Sequence, residues 1–325
     1  MVAASIGVVA IGRNEGRRLI ACLESVKSQT DSIVYVDSGS VDGSQRVAGQ
    51  LGAVVVDLDM TLPFTAARAR NAGFAVMKRL RPELRFVQFI DGDCILAQSW
   101  LSAALTFMNQ RADVAVVCGR RREQHPDETV FNHLADIEWD TPVGEALACG
   151  GDALVRVEAF ESVEGYRPEL IAGEEPEMCL RLRERGWKIW RIDADMTFHD
   201  AALQRFGQWW LRAVRCGYAY AEVSRLHRTS PCAIWRMETR RASLWAGLVP
   251  LCILIGAVVH PIILALTLIY PIQIIRIAVR RGPHLKQSWS YGLFATIGKF
   301  AELQGIATFL WRSLRRKDTV LIEYK

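Results

Sequence analysis

The chain reads as an α/β fold, a mostly parallel sheet with helices on both faces, followed by a helical region that associates with a membrane. Three observations predict it. Through the first 200 positions, short β-branched runs alternate with helical patterns, as strands and crossover helices do. These runs end in small polar and acidic residues, where an open sheet gathers its ligand edge. The last third then changes character: residues 1–200 hold 22 Lys+Arg against 30 Asp+Glu, and residues 201–325 hold 18 against 5, so the formal net charge of +5 hides a strongly basic tail. That tail also contains the most apolar sequence, Leu244 to Val279. Basic flanks around apolar runs fit the inner face of a membrane and argue against nucleic acid. A 50% hydrophobic composition excludes disorder.

Ile6 to Ile11 is the first strand. Gly12-Arg13-Asn14-Glu15-Gly16 leads from it into a helix with Leu19, Ile20, Leu23 and Val26 at helical spacing. A second strand, Ser32 to Val36, ends in Asp37-Ser38-Gly39-Ser40, and Asp42-Gly43-Ser44 opens a helix over Gln45 to Leu51. A third, Ala53 to Val56, is followed after Pro63 by a helix carrying Arg68, Arg70 and Asn71. The fourth begins at Phe86 and stops abruptly at Asp91-Gly92-Asp93, so Glu15, Asp37 and Asp91 fall on one edge. After a helix from Ser99 to Met108 and a strand from Val114 to Cys118, the Arg-rich stretch Gly119 to Glu128 reads as a loop or hinge. Cys149-Gly150-Gly151-Asp152 precedes a short apolar segment, and Gly165 to Pro168 is a turn. Glu174 and Glu175 are expected on a loop before a helix containing Met178, Leu180 and Leu182. Two further strand-like stretches follow, Lys188 to Ile192 and Met196 to Phe198, with His199 just beyond. The eight cysteines are scattered without metal-like spacing and read as reduced, buried small hydrophobes. Ile6 to Ile11 is too short for a signal peptide.

Each polar group has two readings. Asp91 and Asp93, separated by one glycine at a strand end, can both face a divalent cation, or they form an ordinary Asp-Gly turn. Asn14-Glu15, Asp42 and Ser44 either serve the ligand edge or cap helices. Asp37-Ser38 begins a run with more turn residues than a turn needs; small residues there let a flat ring approach, and a carboxylate accepts a ring N–H. Arg68 and Arg70 also suit a solvated helix face, Glu174, Glu175 and Glu177 suit a helix N-terminus, and a lone His199 suits a structural role.

Five segments in fixed order, VAIGRNE, VDSGSVDGS, ARNAGF, FIDGDC and CGGDALVR through GEEPEMCLRLRERGW, resemble the family 2 glycosyltransferases. The resemblance covers about the first 200 residues and implies the GT-A fold, inverting chemistry and a nucleotide-sugar donor, with UDP-sugars favoured. It implies that Asp37 reads the base, Asp91 addresses the ribose, Asp93 holds Mn2+ or Mg2+ with His199, and Arg70 lines the diphosphate. Ile11, Asn14, Glu15, Ser38, Asn71, Gly92, Gly151 and Asp152 join the donor site by the same resemblance. Glu175 is implied as general base, a role worth roughly 10²- to 10⁴-fold. The family usually has Glu-Asp where this chain has Glu174-Glu175, which leaves the base to be chosen among Glu174, Glu175 and Glu177. The QxxRW element of the processive members is replaced by Gln208-Trp209-Trp210-Leu211-Arg212, so a single sugar is expected to be transferred to a lipid-linked or saccharide acceptor. The other class considered is a non-catalytic membrane partner that keeps the fold. Nucleotidyl transfer is disfavoured because no Gly-rich, Lys-containing loop stands near the N-terminus.

The expected organisation is therefore a transferase domain over 1–203, with a donor half (1–118) and an acceptor half (119–203), then basic and aromatic interfacial helices over 204–243 and a membrane hairpin with a terminal amphipathic helix over 244–325. Leu244 to Val259 and Pro261 to Val279 meet at His260-Pro261, each slightly short for a span of roughly 20 residues, which fits a tight or re-entrant hairpin. Arg240, Arg241, Arg280 and Arg281 place both ends in the cytoplasm, at the inner membrane face. Tyr291 to Trp311, followed by Arg312, Arg315, Arg316 and Lys317, reads as an interfacial amphipathic helix.

Overall fold

The computed structural model describes residues 6–315 and forms two compact units that part between Ala202 and Leu203. In the first unit one sheet is built from β1 (Ile6–Gly12), β2 (Ile33–Asp37), β3 (Val54–Asp57), β4 (Phe86–Asp91), β5 (Cys94–Leu96), β6 (Val114–Glu123), β7 (Gly144–Ala146), β8 (Ala153–Arg156) and β9 (Lys188–His199). Its helices are α1 (Arg17–Lys27), α2 (Ser44–Gln50), α3 (Ala66–Leu80), α4 (Trp100–Gln110), α5 (Val130–Trp139), α6 (Val157–Ser162) and α7 (Glu174–Glu184). The spatial order is β3-β2-β1-β4-β8-β6-β9-β5, with β7 added on β9. The first four strands in this order are parallel, β8 is antiparallel to both neighbours, and β6 and β9 are parallel again. The chain winds outward from β1 to β2 and β3, then returns to lay β4 on the other side of β1. That reversal opens a crevice beyond the carboxyl ends of β1 and β4, where ligands bind in such sheets.

Strands covered on both faces must be apolar along their whole length. Ile6, Val8, Val9 and Ala10 of β1 and Phe86, Val87, Phe89 and Ile90 of β4 are almost completely buried. Burying a side chain of this size contributes roughly 1.5–3 kcal/mol, so these two strands anchor the crevice. Gly73 of α3 packs flush on the sheet: a Cβ there would overlap Val9 and lie 2.8 Å from Val36. Arg70, three residues earlier on the same helical face, is thereby carried to the crevice.

Three local expectations change. The Arg-rich stretch after Cys118 is not a loop up to Glu123: β6 continues through it, because Arg120 meets Asp136 at 2.9 Å and Arg122 meets Asp195 at 2.8 Å. The two strand-like stretches after Gly186 are one twelve-residue strand, β9, which itself carries the extra residues as register shifts: Arg191 to Thr197 lies opposite only Cys118 to Arg121 of β6. Glu174 and Glu175 do not precede the helix. They are the first two residues of α7, with left-handed Gly173 before them, because acidic side chains and Pro176 both suit a first helical turn.

The second unit contains α8 (Phe206–Leu226) and three further helices, Arg236–Val259, Pro261–Arg281 and Lys286–Leu314. The first of the three runs unbroken through position 243 with a π turn at Ser243–Leu248. In that register the Trp245 carbonyl faces Pro250, which has no N–H, and the Tyr270 hydroxyl donates to it at 2.6 Å. At 24 and 21 residues, Arg236–Val259 and Pro261–Arg281 are long and apolar enough to cross a membrane, and only 17% and 6% of their apolar windows are buried. The expectation of slightly short segments fails because helix continues into the flanking basic residues. The last helix packs one face against α8 and against the Pro261–Arg281 helix. Its buried positions are mostly small, Ser288, Gly292, Thr296, Gly298, Ala301 and Gly305 among them. A Cβ at Gly305 would overlap the Val214 carbonyl of α8, and one at Gly292 would lie 2.8 Å from the Ile274 carbonyl. Its interrupting charges, Lys299 and Glu302, pair at 2.7 Å. Arg316 and Lys317 lie outside the described residues.

Candidate active site

The Asp91-Gly92-Asp93 turn hangs from the end of β1. The Gly92 N–H donates to the Ile11 carbonyl at 2.7 Å, and a Cβ on Gly92 would come within 3.0 Å of that oxygen. Beyond the turn, β5 pairs antiparallel with β9 so that Cys94 stands opposite His199. This register brings His199 Nε2 to 3.2 Å from Asp93 Oδ2, with both side chains more than nine-tenths buried. The His199 ring packs on Trp139 at the end of α5, at 4.8 Å between centroids.

Asp91 faces a different set of groups. Arg70 Nη2 lies 2.7 Å from its Oδ1, and Arg121 Nη2 lies 3.3 Å from its Oδ2. Arg70 Nη1 is 2.9 Å from Glu174 Oε1 and 2.9 Å from Glu175 Oε1, so one guanidinium from α3 holds carboxylates from β4 and α7. Gly151 lies against all of them: a Cβ there would sit 2.5 Å from Arg70 Nη2, 3.0 Å from Asp91 Oδ2 and 3.2 Å from Glu175 Oε1. Burial, then the neighbouring Glu174, pushes the Glu175 carboxyl up to about 7, while Arg70 pulls the other way. Burial also opposes charge on Asp91, but Arg70 and Arg121 outweigh it and hold that carboxyl below its ordinary value. Two carboxyls on one guanidinium are thus driven apart, the pattern that separates a proton acceptor from a permanently ionised partner.

Residues 7–163 match the Glycosyl transferase family 2 profile. Glycosyltransferase AglE of Haloferax volcanii is 24% identical over 230 residues, covering 67% of this chain and 73% of that protein. The O-antigen chain rhamnosyltransferase RfbN of Salmonella typhimurium is 25% identical over 184 residues, covering 51% of this chain and 57% of that protein. A mannosyltransferase from Pyrobaculum calidifontis, solved with GDP-Man and Mn2+, superposes with a TM-score of 0.65 at 15% identity, over 94% of this chain and 87% of that one. The first unit belongs to glycosyl transferase family 2. It has the GT-A fold, as the superposition shows at the level of architecture.

Within this family 2 unit, Asp91, Gly92, Gly151, Arg70, Glu174 and Glu175 converge as one cluster, and Asp93 and His199 meet beside it. Other residues expected in the donor site make hydrogen bonds or ion pairs within the unit. Asp37 is wholly buried: its Oδ1 accepts from the Gly39 and Ser40 N–H groups and from Gln45, and its Oδ2 accepts from the Tyr35 hydroxyl. Ser38 donates its N–H to the Gly12 carbonyl, and Asn14 joins the same loop by accepting from the Val41 N–H. Glu15 pairs with Arg18 at 2.7 Å, and Ile11 offers its carbonyl to Gly92. Asn71 faces the Gly165–Tyr166 turn, donating to the Tyr166 carbonyl and accepting from its N–H. Asp152, fully buried, accepts from the Asp91 N–H and the Thr197 hydroxyl and pins the acidic turn from behind. Glu177 has no exposed surface and is neutralised by Arg167 at 2.7 Å and Arg181 at 2.7 Å, which removes it as a base.

The sequence reading missed Arg121 and Trp139. Arg121 also reaches Asp152 at 3.4 Å and lies 5.0 Å from the Trp139 ring, so it ties the acidic turn to the platform under His199. Its only signal in the sequence was its position in the run Arg120-Arg121-Arg122. The Asp93–His199 pair fits a divalent cation, one carboxylate and one imidazole with further positions left for phosphate oxygens, and Cys94 Sγ lies within 4.8 Å of both ligand atoms.

Proposed function

We propose that the protein is an inverting glycosyltransferase that moves one sugar from a nucleoside diphosphate sugar to a hydroxyl of a lipid-linked or saccharide acceptor of the cell envelope. One observation carries this reading: Glu175, with its carboxyl pushed up to about 7, shares a guanidinium with Asp91 at the strand edge that also bears the Asp93–His199 pair. The acceptor oxygen forms a bond to the anomeric carbon and its proton passes to Glu175. The bond from that carbon to the diphosphate oxygen breaks, the electron pair leaves with the nucleoside diphosphate, and attack from the opposite face inverts the centre. Asp93 and His199 would hold a divalent cation, Mn2+ or Mg2+, which would supply charge stabilisation to the departing diphosphate. Asp91, kept ionised by its two arginines, accepts the ribose hydroxyls.

The O-antigen relatives support an envelope acceptor. The two exposed apolar helices support association with a membrane, and Arg240, Arg241, Arg280 and Arg281 at the ends of that hairpin favour a cytoplasmic face for both ends. The favoured donor remains a UDP-sugar. The test is release of nucleoside diphosphate from a panel of UDP-, GDP- and dTDP-sugars by the full chain in detergent with Mn2+. Turnover of one donor that is lost on chelation and in Asp93→Ala is expected. No turnover with any donor would instead make the chain a non-catalytic partner that keeps the fold, and release unchanged in Asp93→Ala would overturn the role given to Asp93.

A further inference from the structure

We propose that Arg70 is a positioning residue that locks Glu175 and Asp91 to each other, and that it does not touch the donor's diphosphate. Family resemblance assigned it to the diphosphate, but its two terminal nitrogens already serve carboxylates, and Nε, which has no partner, is fully buried. Its side chain is 2% exposed. Nη1 serves Glu174 and Glu175, and Nη2 serves Asp91. Gly151 closes the approach to Nη2, leaving no room even for a methyl group, and the Tyr166 ring lies 5.6 Å from the guanidinium carbon. A phosphate oxygen would have to displace a carboxylate from a buried ion pair to reach either nitrogen, which leaves that carboxylate uncompensated.

The consequence is mechanical. A guanidinium is a planar, rigid fork, so its two arms fix the carboxylates they hold relative to one another. One arm reaches the group assigned to the donor's ribose and the other the group assigned to the acceptor's proton. Arg70 therefore sets the distance between the two halves of the reaction from behind, in contact with neither substrate. Three carboxylates share this one cation, so the fork holds Glu175 without fully neutralising it. The groups facing Glu175 are Arg70 from α3, Asp91 from β4, Glu174 on its own helix, Tyr166 from the preceding turn, and Cys149 beside Gly151.

The proposal rests on Glu175 as base, and the experiment separates the two. Binding of UDP and GDP with Mn2+ is measured by calorimetry on the full chain alongside steady-state turnover. Arg70→Lys, which keeps the charge and loses the fork, is expected to lower kcat about 100-fold, as a misplaced reacting group does. Its nucleoside diphosphate affinity should stay within about threefold of wild type, the signature of lost transition-state positioning. A tenfold or greater loss of nucleoside diphosphate affinity, or an unchanged kcat, would overturn it. Should Arg70→Lys fail to fold, Glu174→Gln decides: removing the like charge and one competitor for Nη1 is expected to move the acid limb of kcat to lower pH at unchanged nucleotide affinity, and an unmoved limb refutes the shared fork. If Glu175→Gln retains wild-type turnover, the base assignment falls, while the nucleotide-binding arm still decides whether Arg70 meets the diphosphate.

Discussion

Two clusters on either side of α7 use the same residue types in opposite proportions. At Glu177 one carboxylate meets two guanidiniums, Arg167 and Arg181, and Arg181 also donates to the Val163 and Gly165 carbonyls. At Arg70 one guanidinium meets three carboxylates, Asp91, Glu174 and Glu175. Glu175 and Glu177 lie two residues apart and both are largely shielded from water, so burial alone does not distinguish them. The ratio of cation to anion does. A carboxylate with cations in excess is a structural tie, whereas one that must share its cation keeps an affinity for protons near neutrality.

The sharpest way to break this comparison is to neutralise each glutamate in turn. Glu175→Gln should cost about 10²- to 10⁴-fold in kcat while thermal unfolding stays close to wild type, as expected for loss of a general base. Glu177→Gln should do the reverse: it takes the counter-charge from Arg181 and from the partly exposed Arg167 at a cost of about 1–3 kcal/mol, read as a fall in melting temperature, while the folded fraction turns over normally. If Glu177→Gln silenced the folded enzyme and Glu175→Gln merely unfolded it, the roles would be exchanged. A smaller effect is expected from Gly151→Ala, whose methyl group would press on Arg70, Asp91 and Glu175 together; we expect about tenfold to 100-fold lower kcat from the displaced groups. Smallest is Arg167→Ala, since its side chain is 37% exposed and Arg181 remains, leaving a stability loss of about 1 kcal/mol or less and no kinetic change.

The first four strands were legible because each is an apolar run closed by turn residues, and the observed ends fall within about two positions of those expected. The extension of β6 was not, because Arg120 and Arg122 look solvated until their partners Asp136 and Asp195 are known. In the site, the short-range pattern announced Asp91-Gly92-Asp93 and the acidic start of α7. What it could not announce is Arg70 as their common partner, since Asp91 and Glu174 lie 21 and 104 residues away from it. Asn71 was drawn into the donor site by its neighbour in sequence, whereas its side chain turns to Tyr166, 95 residues on. In the second unit, hydropathy found the apolar segments, but the small-residue packing of Lys286–Leu314 depends on contacts with two other helices that no periodicity within one helix encodes.

The most direct measurement is the pH dependence of kcat/KM for donor turnover, wild type against Glu175→Gln. Glu175 must be unprotonated to accept the acceptor's proton, so turnover is lost as pH falls through its folded-state value. The wild-type profile should be half-maximal near about 7 on its acid side, and that limb should vanish in the low residual activity of Glu175→Gln. An acid limb at the ordinary glutamate value, 4.5, or a limb that survives unchanged in Glu175→Gln, would contradict the assignment of Glu175 as the base.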